Sequence, residues 1–346
     1  MKGIKLLFFA DTHLGFDFPV RPRVRKARRG QDFFDNFHRI ISHARRSRPD
    51  VVVHGGDLFF RSNVPAPVID KTYNALLEFA ETGIPLVLVP GNHERSRLPS
   101  SLLLGHPNIH VFDEPKTITL SLSNADVSFS GFPFQRHDVR ARFPAILGQT
   151  GWSDAEADLR LLCFHQAVEG ATVGPGNFTF RNGTDVIRMR DIPAEFHAAL
   201  SGHIHRRQTL TARHATGATP VIYPGSTERT SFAERDEEKG FCELEFTFDA
   251  STVSWRLAQR FISLPARPMR DIVLPAHKDI ISWKALVRDQ LSRLPERAVV
   301  RFKPSPGSND GPPPCDVVSA LSALVPEGMI VQFSRAFFSR TRTATA

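Results

Sequence analysis

The sequence predicts an α/β fold with a smaller second domain behind it, and three observations carry that expectation. Short, near-continuous apolar runs read as strands buried on both faces, as in a helix-covered sheet. Between the early runs lie segments whose apolar residues recur at helical spacing. The character of the chain changes after about residue 264, and 346 residues exceed what one hydrophobic core usually holds.

IKLLFFAD (4–11) is the first strand-like run. QDFFDNFHRIISHARR follows, with Phe33, Phe34, Phe37, Ile40, Ile41 and Ala44 on one helical face. VVVHGGD (51–57) is the second run, and APVIDKTYNALLEFAE after it lines up Ile69, Tyr73, Leu76, Leu77 and Ala80. IPLVLVPGNH (84–93), LRLLCFHQ (159–166) and AALSGHIH (198–205) complete a set in which each run ends near Gly, Asp, Asn or His. FCELEFTF (241–248) and VSWRLAQRF (253–261) make the later part of the first domain, 1–263, richer in β structure. LPARPMRD then reads as a linker, WKALVRDQLSRL as a helix and VVRFKP as a strand. After the loop PSPGSNDGPPP come a second helix and strand, VVSALSALV and GMIVQF. Residues 264–338 are therefore expected to form a small α+β domain, and SRTRTATA (339–346) a disordered tail.

Composition narrows the function class. With 41% hydrophobic and 23% charged residues the chain is an ordinary globular protein. No run approaches the roughly 18 apolar residues of a membrane span. KLLFFA meets Asp11 too soon for a signal peptide, and Cys163, Cys242 and Cys315 suggest a reduced, cytoplasmic setting without disulfides. The net charge of +8 rests on 35 arginines and 9 lysines. Codon bias explains the bulk ratio as well as function does, but position is more telling. RPRVRKARR (21–29) gathers Arg21, Arg23, Arg25, Lys26, Arg28 and Arg29 with no acid, directly after DTHLG. Basic segments beside a phosphate-binding site favour a polyanionic substrate.

The chemistry-bearing residues sit where strands end, the usual place for a ligand in an open α/β sheet. Five strand ends supply Asp11 and His13, Asp57, Asn92 and His93, His165, then His203 and His205. Taken singly each has a bland reading as a turn or cap. Together they form an oxygen and nitrogen donor set without a thiolate, which suits manganese, iron or zinc. In a strand-like extension, His203 and His205 share a face and turn toward one site, with Gly202 leaving room for a sharp exit.

The series DTHLG, GGDLF, GNHE, FHQ and GHIH resembles the calcineurin-like metallophosphoesterases across residues 11–205. GHIHRRQ followed by VIYPGSTERTSFAERDEEKGF (221–241) resembles, more narrowly, the SbcD-type DNA-repair nucleases. The resemblance implies a sandwich of two mixed sheets flanked by helices, with a small DNA-binding cap. It implies two divalent metals, most often Mn2+, with Fe, Zn or Mg as alternatives. Asp11, His13, Asp57 and His205 would hold one, and Asp57, Asn92, His165 and His203 the other. Asp57 would bridge them through its two oxygens. A hydroxide between the metals would attack phosphorus in line, and His93 would stabilise the transition state or protonate the leaving oxygen.

The implied function is a nucleoid-associated exo- or endodeoxyribonuclease acting on DNA. Such nucleases pair with an SbcC-type coiled-coil ATPase through helices beyond the cap, where this chain has no obvious amphipathic pair, and often form homodimers. Many relatives carry a second, non-ligand histidine directly after GDLF, where this chain has Phe60; His54 lies three residues before Asp57, on the strand side, and does not substitute. Two alternatives stand beside the nuclease: a metallophosphoesterase acting on a small phosphodiester or a phosphoprotein, and a catalytically silent DNA-binding scaffold. Arg206 and Arg207 read as phosphate contacts, Arg229 as a phosphate contact or a partner of nearby acids, and Cys163 as a small buried apolar residue.

Overall fold

In the computed structural model, Ile4, Leu6 and Phe8 of β1 (Gly3–Phe9) alternate with Leu7 and Phe9, and both sets are buried. That is how a strand covered on two faces reads in sequence. The structure describes residues 2–18, 28–123, 125–215, 217–276, 279–305 and 315–335. Arg21, Arg23, Arg25, Lys26 and the expected disordered tail lie outside the described residues.

After β1 come α1 (Gly30–Ser47), β2 (Val51–His54), α2 (Ala66–Ala80), β3 (Leu86–Leu88), β4 (Ile109–Val111), β5 (Lys116–Leu122), β6 (Ala125–Gly131), α3 (Val139–Gln149) and β7 (Leu159–Phe164). Four two-residue strands, β8 (Ala167–Val168), β9 (Thr172–Val173), β10 (Phe178–Thr179) and β11 (Val186–Ile187), lead to β12 (Ala198–Ser201). The hairpins β13 (Gln208–His214) with β14 (Gly217–Tyr223), and β15 (Gly240–Asp249) with β16 (Ser254–Ser263), complete the first unit.

Two six-stranded mixed sheets result, ordered β16-β15-β1-β2-β3-β4 and β13-β14-β12-β7-β6-β5. Their inner faces meet in one core, where Leu6, Phe8, Val53 and Val87 pack with Val127, Phe129, Leu161 and Leu200. The outer face of the first sheet buries Leu7, Phe9, Val52 and Leu88 against α1 and α2. Val68 and Phe79 lie on the buried face of α2, while Leu77 is only partly covered. The second sheet turns Leu162, Phe164 and Tyr223 to Phe143 and Leu147 of α3. The expected sandwich of two mixed sheets flanked by helices is the observed architecture.

The described residues divide into two compact units, one of residues 2–18 and 29–266, the other of Arg28 and residues from Arg267 onward. The second contains β17 (Met269–Leu274), α4 (Ile280–Ser292), β18 (Val299–Pro304), α5 (Cys315–Ser322) and β19 (Ile330–Phe333). Its three strands are parallel in the order β17-β18-β19, around Ile272, Leu274, Val287, Val300, Phe302 and Leu321. Parallel neighbours require crossovers, so helices alternate with strands here rather than segregating as an α+β arrangement would have them. Asp279 caps α4, its carboxylate accepting from the Ser282 amide at 2.7 Å. Among the described residues no helix is long and apolar enough to cross a membrane.

Candidate metal centre

The pairing of β1 with β2 does not stop where the strands do. Gly55 N donates to Phe9 O, Asp11 N to Gly56 O, His13 N to Asp57 O and Leu14 N to Leu58 O, all at 2.9–3.0 Å. This extended ladder lays the Asp11–His13 loop alongside Asp57. At the centre of the sandwich Gly55 O accepts from both Gly202 N (3.1 Å) and His165 Nδ1 (2.8 Å), tying the strand ends of the two sheets together. The approach leaves no space for side chains: a Cβ on Gly56 would lie 2.1 Å from His165 Nδ1, and one on Gly91 2.1 Å from Asp57 Oδ1.

Asp11, His13, Asp57 and His203 all have left-handed backbones, with φ of 53°, 45°, 55° and 78°. Such conformations cost about 1–3 kcal/mol each and concentrate where function demands them. His203 is thus not in a strand-like extension: β12 ends at Ser201, and the shared-face expectation for His203 and His205 fails. The turn at His203, not strand parity, aims the two rings.

The side chains fall into two groups that meet at Asp57. In one, His205 Nε2 is 2.9 Å from His13 Nε2 and 3.8 Å from Asp11 Oδ1, and His13 Nε2 is 4.0 Å from Asp57 Oδ2. In the other, Asn92 Oδ1 is 3.0 Å from His165 Nε2 and 2.9 Å from His203 Nδ1, while His165 Nε2 is 3.4 Å from Asp57 Oδ2. Asp57 Oδ1 accepts from the His93 amide at 2.9 Å, and Oδ2 lies within 4.0 Å of ring nitrogens of His13, His93 and His165. Donor atoms of Asp11, His13 and His205, of His13, Asp57 and His93, and of Asp11, Asp57 and His165 each lie within 4.8 Å of one another.

This donor set fits a cation. His165 donates from Nδ1 to Gly55 O, so in the neutral ring its Nε2 lone pair points at the oxygens of Asn92 and Asp57. Acceptors facing acceptors call for positive charge between them, as a proton or a metal ion. A proton serves at His165: burial opposes ionisation, but the Asp57 carboxylate outweighs it and lifts this group to about 9. Burial likewise opposes ionisation of Asp57, yet the surrounding histidines hold it well below the usual carboxylate range. Burial and the neighbouring His165 charge press His203 down to about 3, and burial with His205 presses His13 well below its ordinary value. Their rings stay neutral, with lone pairs to donate. His13 Nδ1 is buried without a hydrogen-bond partner.

His93 is placed differently. Its Nδ1 donates to Phe60 O at 2.5 Å, which turns Nε2 toward Asp57 Oδ2 at 3.8 Å, and a third of its side chain is exposed. Phe60 fills the space beside it, 5.6 Å from the His93 ring and 6.0 Å from that of His13.

Several residues around the centre have a place that the sequence does not reveal. Glu94 is buried and accepts from the amides of Phe59 (2.6 Å) and Gly91 (2.8 Å), locking the two loops; burial and nearby Asp57 raise its carboxyl to about 8. His54 is buried behind the loops, with Nε2 3.1 Å from Thr12 Oγ1 and Nδ1 accepting from Gly56 N at 3.2 Å. Glu234 accepts from His205 Nδ1 at 3.1 Å. A Glu two residues after Asn92 was legible as part of GNHE, but its inward turn was not.

The basic residues separate by environment. Arg29 is 3% exposed, bound to Glu228 at 3.1 Å and seated against the rings of Phe16 and Phe33. Its guanidinium is thus engaged inside the protein by an ion pair. Arg28 is half-buried. Arg206 is engaged by Glu237 (3.0 Å), Asn177 (2.7 Å) and the Gly174 carbonyl (2.6 Å). Exposed Arg207 lies over the Phe261 ring at 4.3 Å. Arg229 donates to the carbonyls of Glu234 and Glu237.

The model of the calcineurin-like phosphoesterases matches residues 4–207. A DNA double-strand break repair protein Mre11 from Halobacterium salinarum is 30% identical over 255 residues, covering 72% of this chain and 58% of the relative. The protein of that name from Haloferax volcanii is 30% identical, covering 73% and 52%. The one from Methanococcus maripaludis is 25% identical, covering 72% and 66%. The chain thus spans from about half to two thirds of the length of these relatives. Among solved structures, a dimetal phosphatase from Danio rerio aligns with a TM-score of 0.44 at 14% identity, covering 75% of this chain and 95% of that one.

Proposed function

The chain belongs to the calcineurin-like phosphoesterases, and from that premise we propose that it is a metal-dependent DNA nuclease of the SbcD type. One observation carries the reading. Asp11, His13, Asp57, Asn92, His165, His203 and His205, from five separate strand ends, converge as two donor groups sharing Asp57 Oδ2. The similarity to relatives named as DNA double-strand break repair proteins supports DNA as the substrate class.

In this reading Asp11, His13, Asp57 and His205 hold one divalent ion, most often manganese, and Asp57, Asn92, His165 and His203 a second. Two such ions supply an activated water and neutralise charge on the attacking and leaving oxygens. The chain's own residues do the rest. Neutral His13 and His203 donate without adding charge, while the ladder through Gly55, Asp11 and His13 holds the donors in place. His93, fixed by the Phe60 carbonyl and open to solvent, presents Nε2 where a proton can pass to a leaving oxygen. An SbcC-type ATPase, self-association and a nucleoid location belong to the same proposal.

The test is cleavage of linear, hairpin and single-stranded DNA with manganese and with magnesium, by the wild type and Asp57→Asn. Manganese-dependent cleavage that the substitution abolishes is expected. Turnover of small aryl phosphodiesters without DNA cleavage or salt-sensitive DNA binding would replace the nuclease with a small-substrate phosphoesterase. DNA binding with fewer than one bound ion would favour a silent scaffold.

A further inference from the structure

His205 differs from the other histidines of the centre in what holds it. Its Nδ1 donates to a carboxylate, Glu234 Oε1, whereas His165 uses the Gly55 carbonyl, His203 faces Asn92 and His93 uses the Phe60 carbonyl. Glu234 is 7% exposed at the end of a short 3-10 turn, Phe232–Glu234. Its oxygens are held on all sides. Oε1 also accepts from Thr230 Oγ1 at 2.5 Å, and Oε2 accepts from Lys239 Nζ at 2.7 Å and Ser226 Oγ at 3.3 Å. Lys239, 1% exposed, donates as well to the backbone carbonyl of His205 at 3.0 Å. One buried ion pair therefore grips both the ring and the backbone of a single residue.

Burying two charges costs several kcal/mol for each, and a well-packed apolar pair often gives equal or greater stability. Stability alone is thus a weak reason for this pair. Its geometry offers a better one. A carboxylate on Nδ1–H fixes the tautomer, leaves the Nε2 lone pair facing Asp11 and His13, and makes that nitrogen a stronger donor. We propose that Glu234, braced by Lys239, is a positioning residue for His205 that sets the divalent-cation affinity of the Asp11–His13–His205 half of the centre. The Asn92–His165–His203 half does not depend on it. The inference rests on the two-metal reading and is tested apart from any nuclease activity.

The experiment is calorimetric titration of the metal-free full chain with manganese, without DNA, for the wild type, Glu234→Ala, Glu234→Gln, His205→Ala and the double variant His205→Ala with Glu234→Ala. Two ions bind the wild type. Glu234→Ala weakens one of them by about 10–100-fold and spares the other. Glu234→Gln, which keeps an acceptor on Nδ1, loses less. The double variant binds no more weakly than His205→Ala alone, because Glu234 acts through that ring. If Glu234→Ala does not fold, the same one-sided loss in Glu234→Gln decides the matter. Equal weakening of both ions, or of neither, overturns the inference while leaving the two-metal reading intact; a wild type that binds no manganese overturns both.

Discussion

His93 gives one nitrogen to the protein and keeps the other for the centre. Because Nδ1 is committed to the Phe60 carbonyl, removal of the ring takes away a proton carrier and little of the frame. His93→Ala should lower kcat for DNA cleavage by about 10²–10⁴-fold with two manganese ions still bound; loss of an ion would make His93 a ligand instead. His54 has the opposite character. Buried and pressed down to about 3, mainly by desolvation, it stays neutral in the fold while an unfolded chain takes up a proton near 6.5. The stability linked to it is fully present above pH 6.5 and falls as the pH drops from there toward 3. Between pH 7 and 5 the loss is about 2 kcal/mol. Urea denaturation at both values should show a steeper decline for the wild type than for His54→Gln, and equal declines would remove His54 as the source. The donors were legible because each ends an apolar run. Glu234 and Lys239 were not, since nothing in a polar loop 29 residues beyond His205 marks which of its acids turns inward.

Strands covered on both faces announce themselves. β1, β2, β7 and β12 were readable as apolar runs, and α1 buries Phe33, Phe34, Phe37, Ile40, Ile41 and Ala44, the set its spacing predicts. β5 and β13 were not, because exposed and half-buried residues dilute their sequences and only one face meets the core. The loops beyond the strands were legible in composition but not in conformation: glycines there serve close approach as much as turning. Gly91→Ala places a Cβ 2.1 Å from Asp57 Oδ1 and 2.4 Å from Asp57 N, so the carboxylate must move. It should destabilise by about 1–3 kcal/mol and weaken manganese binding, read by denaturation and calorimetry. Gly148 is the contrast. It lies in α3, exposed, with nothing within 4 Å of an added Cβ. Gly148→Ala should stabilise by about 0.5–1 kcal/mol, and destabilisation there would contradict the helical backbone assigned to it.

Across the whole molecule the net charge of +8 was legible from the start, but its division between substrate and scaffold was not. RPRVRKARR reads as one basic run, yet Arg29 at its end is an internal residue, paired with Glu228 and enclosed by Phe16 and Phe33. No spacing rule distinguishes Arg28 from Arg29; their environments do. The two kinds of arginine should separate cleanly in experiment. Counterion release makes log K for duplex DNA fall with log salt by about 0.9 for each phosphate neutralised. Changing Arg21, Arg23, Arg25 and Lys26 together to glutamine should flatten that slope by about this amount for each phosphate left without its cation. The denaturation midpoint should not shift. Arg29→Gln should do the reverse, because it takes the cation away from the buried Glu228 carboxylate. A stability loss of about 3–5 kcal/mol follows, with the salt slope of the remaining folded protein unaltered. Fluorescence anisotropy with labelled duplex from about 50 to 200 mM salt, beside urea denaturation of the same samples, reads both. An unaltered slope in the fourfold variant would show that those charges face solvent alone, and a flattened slope in Arg29→Gln would return Arg29 to the DNA.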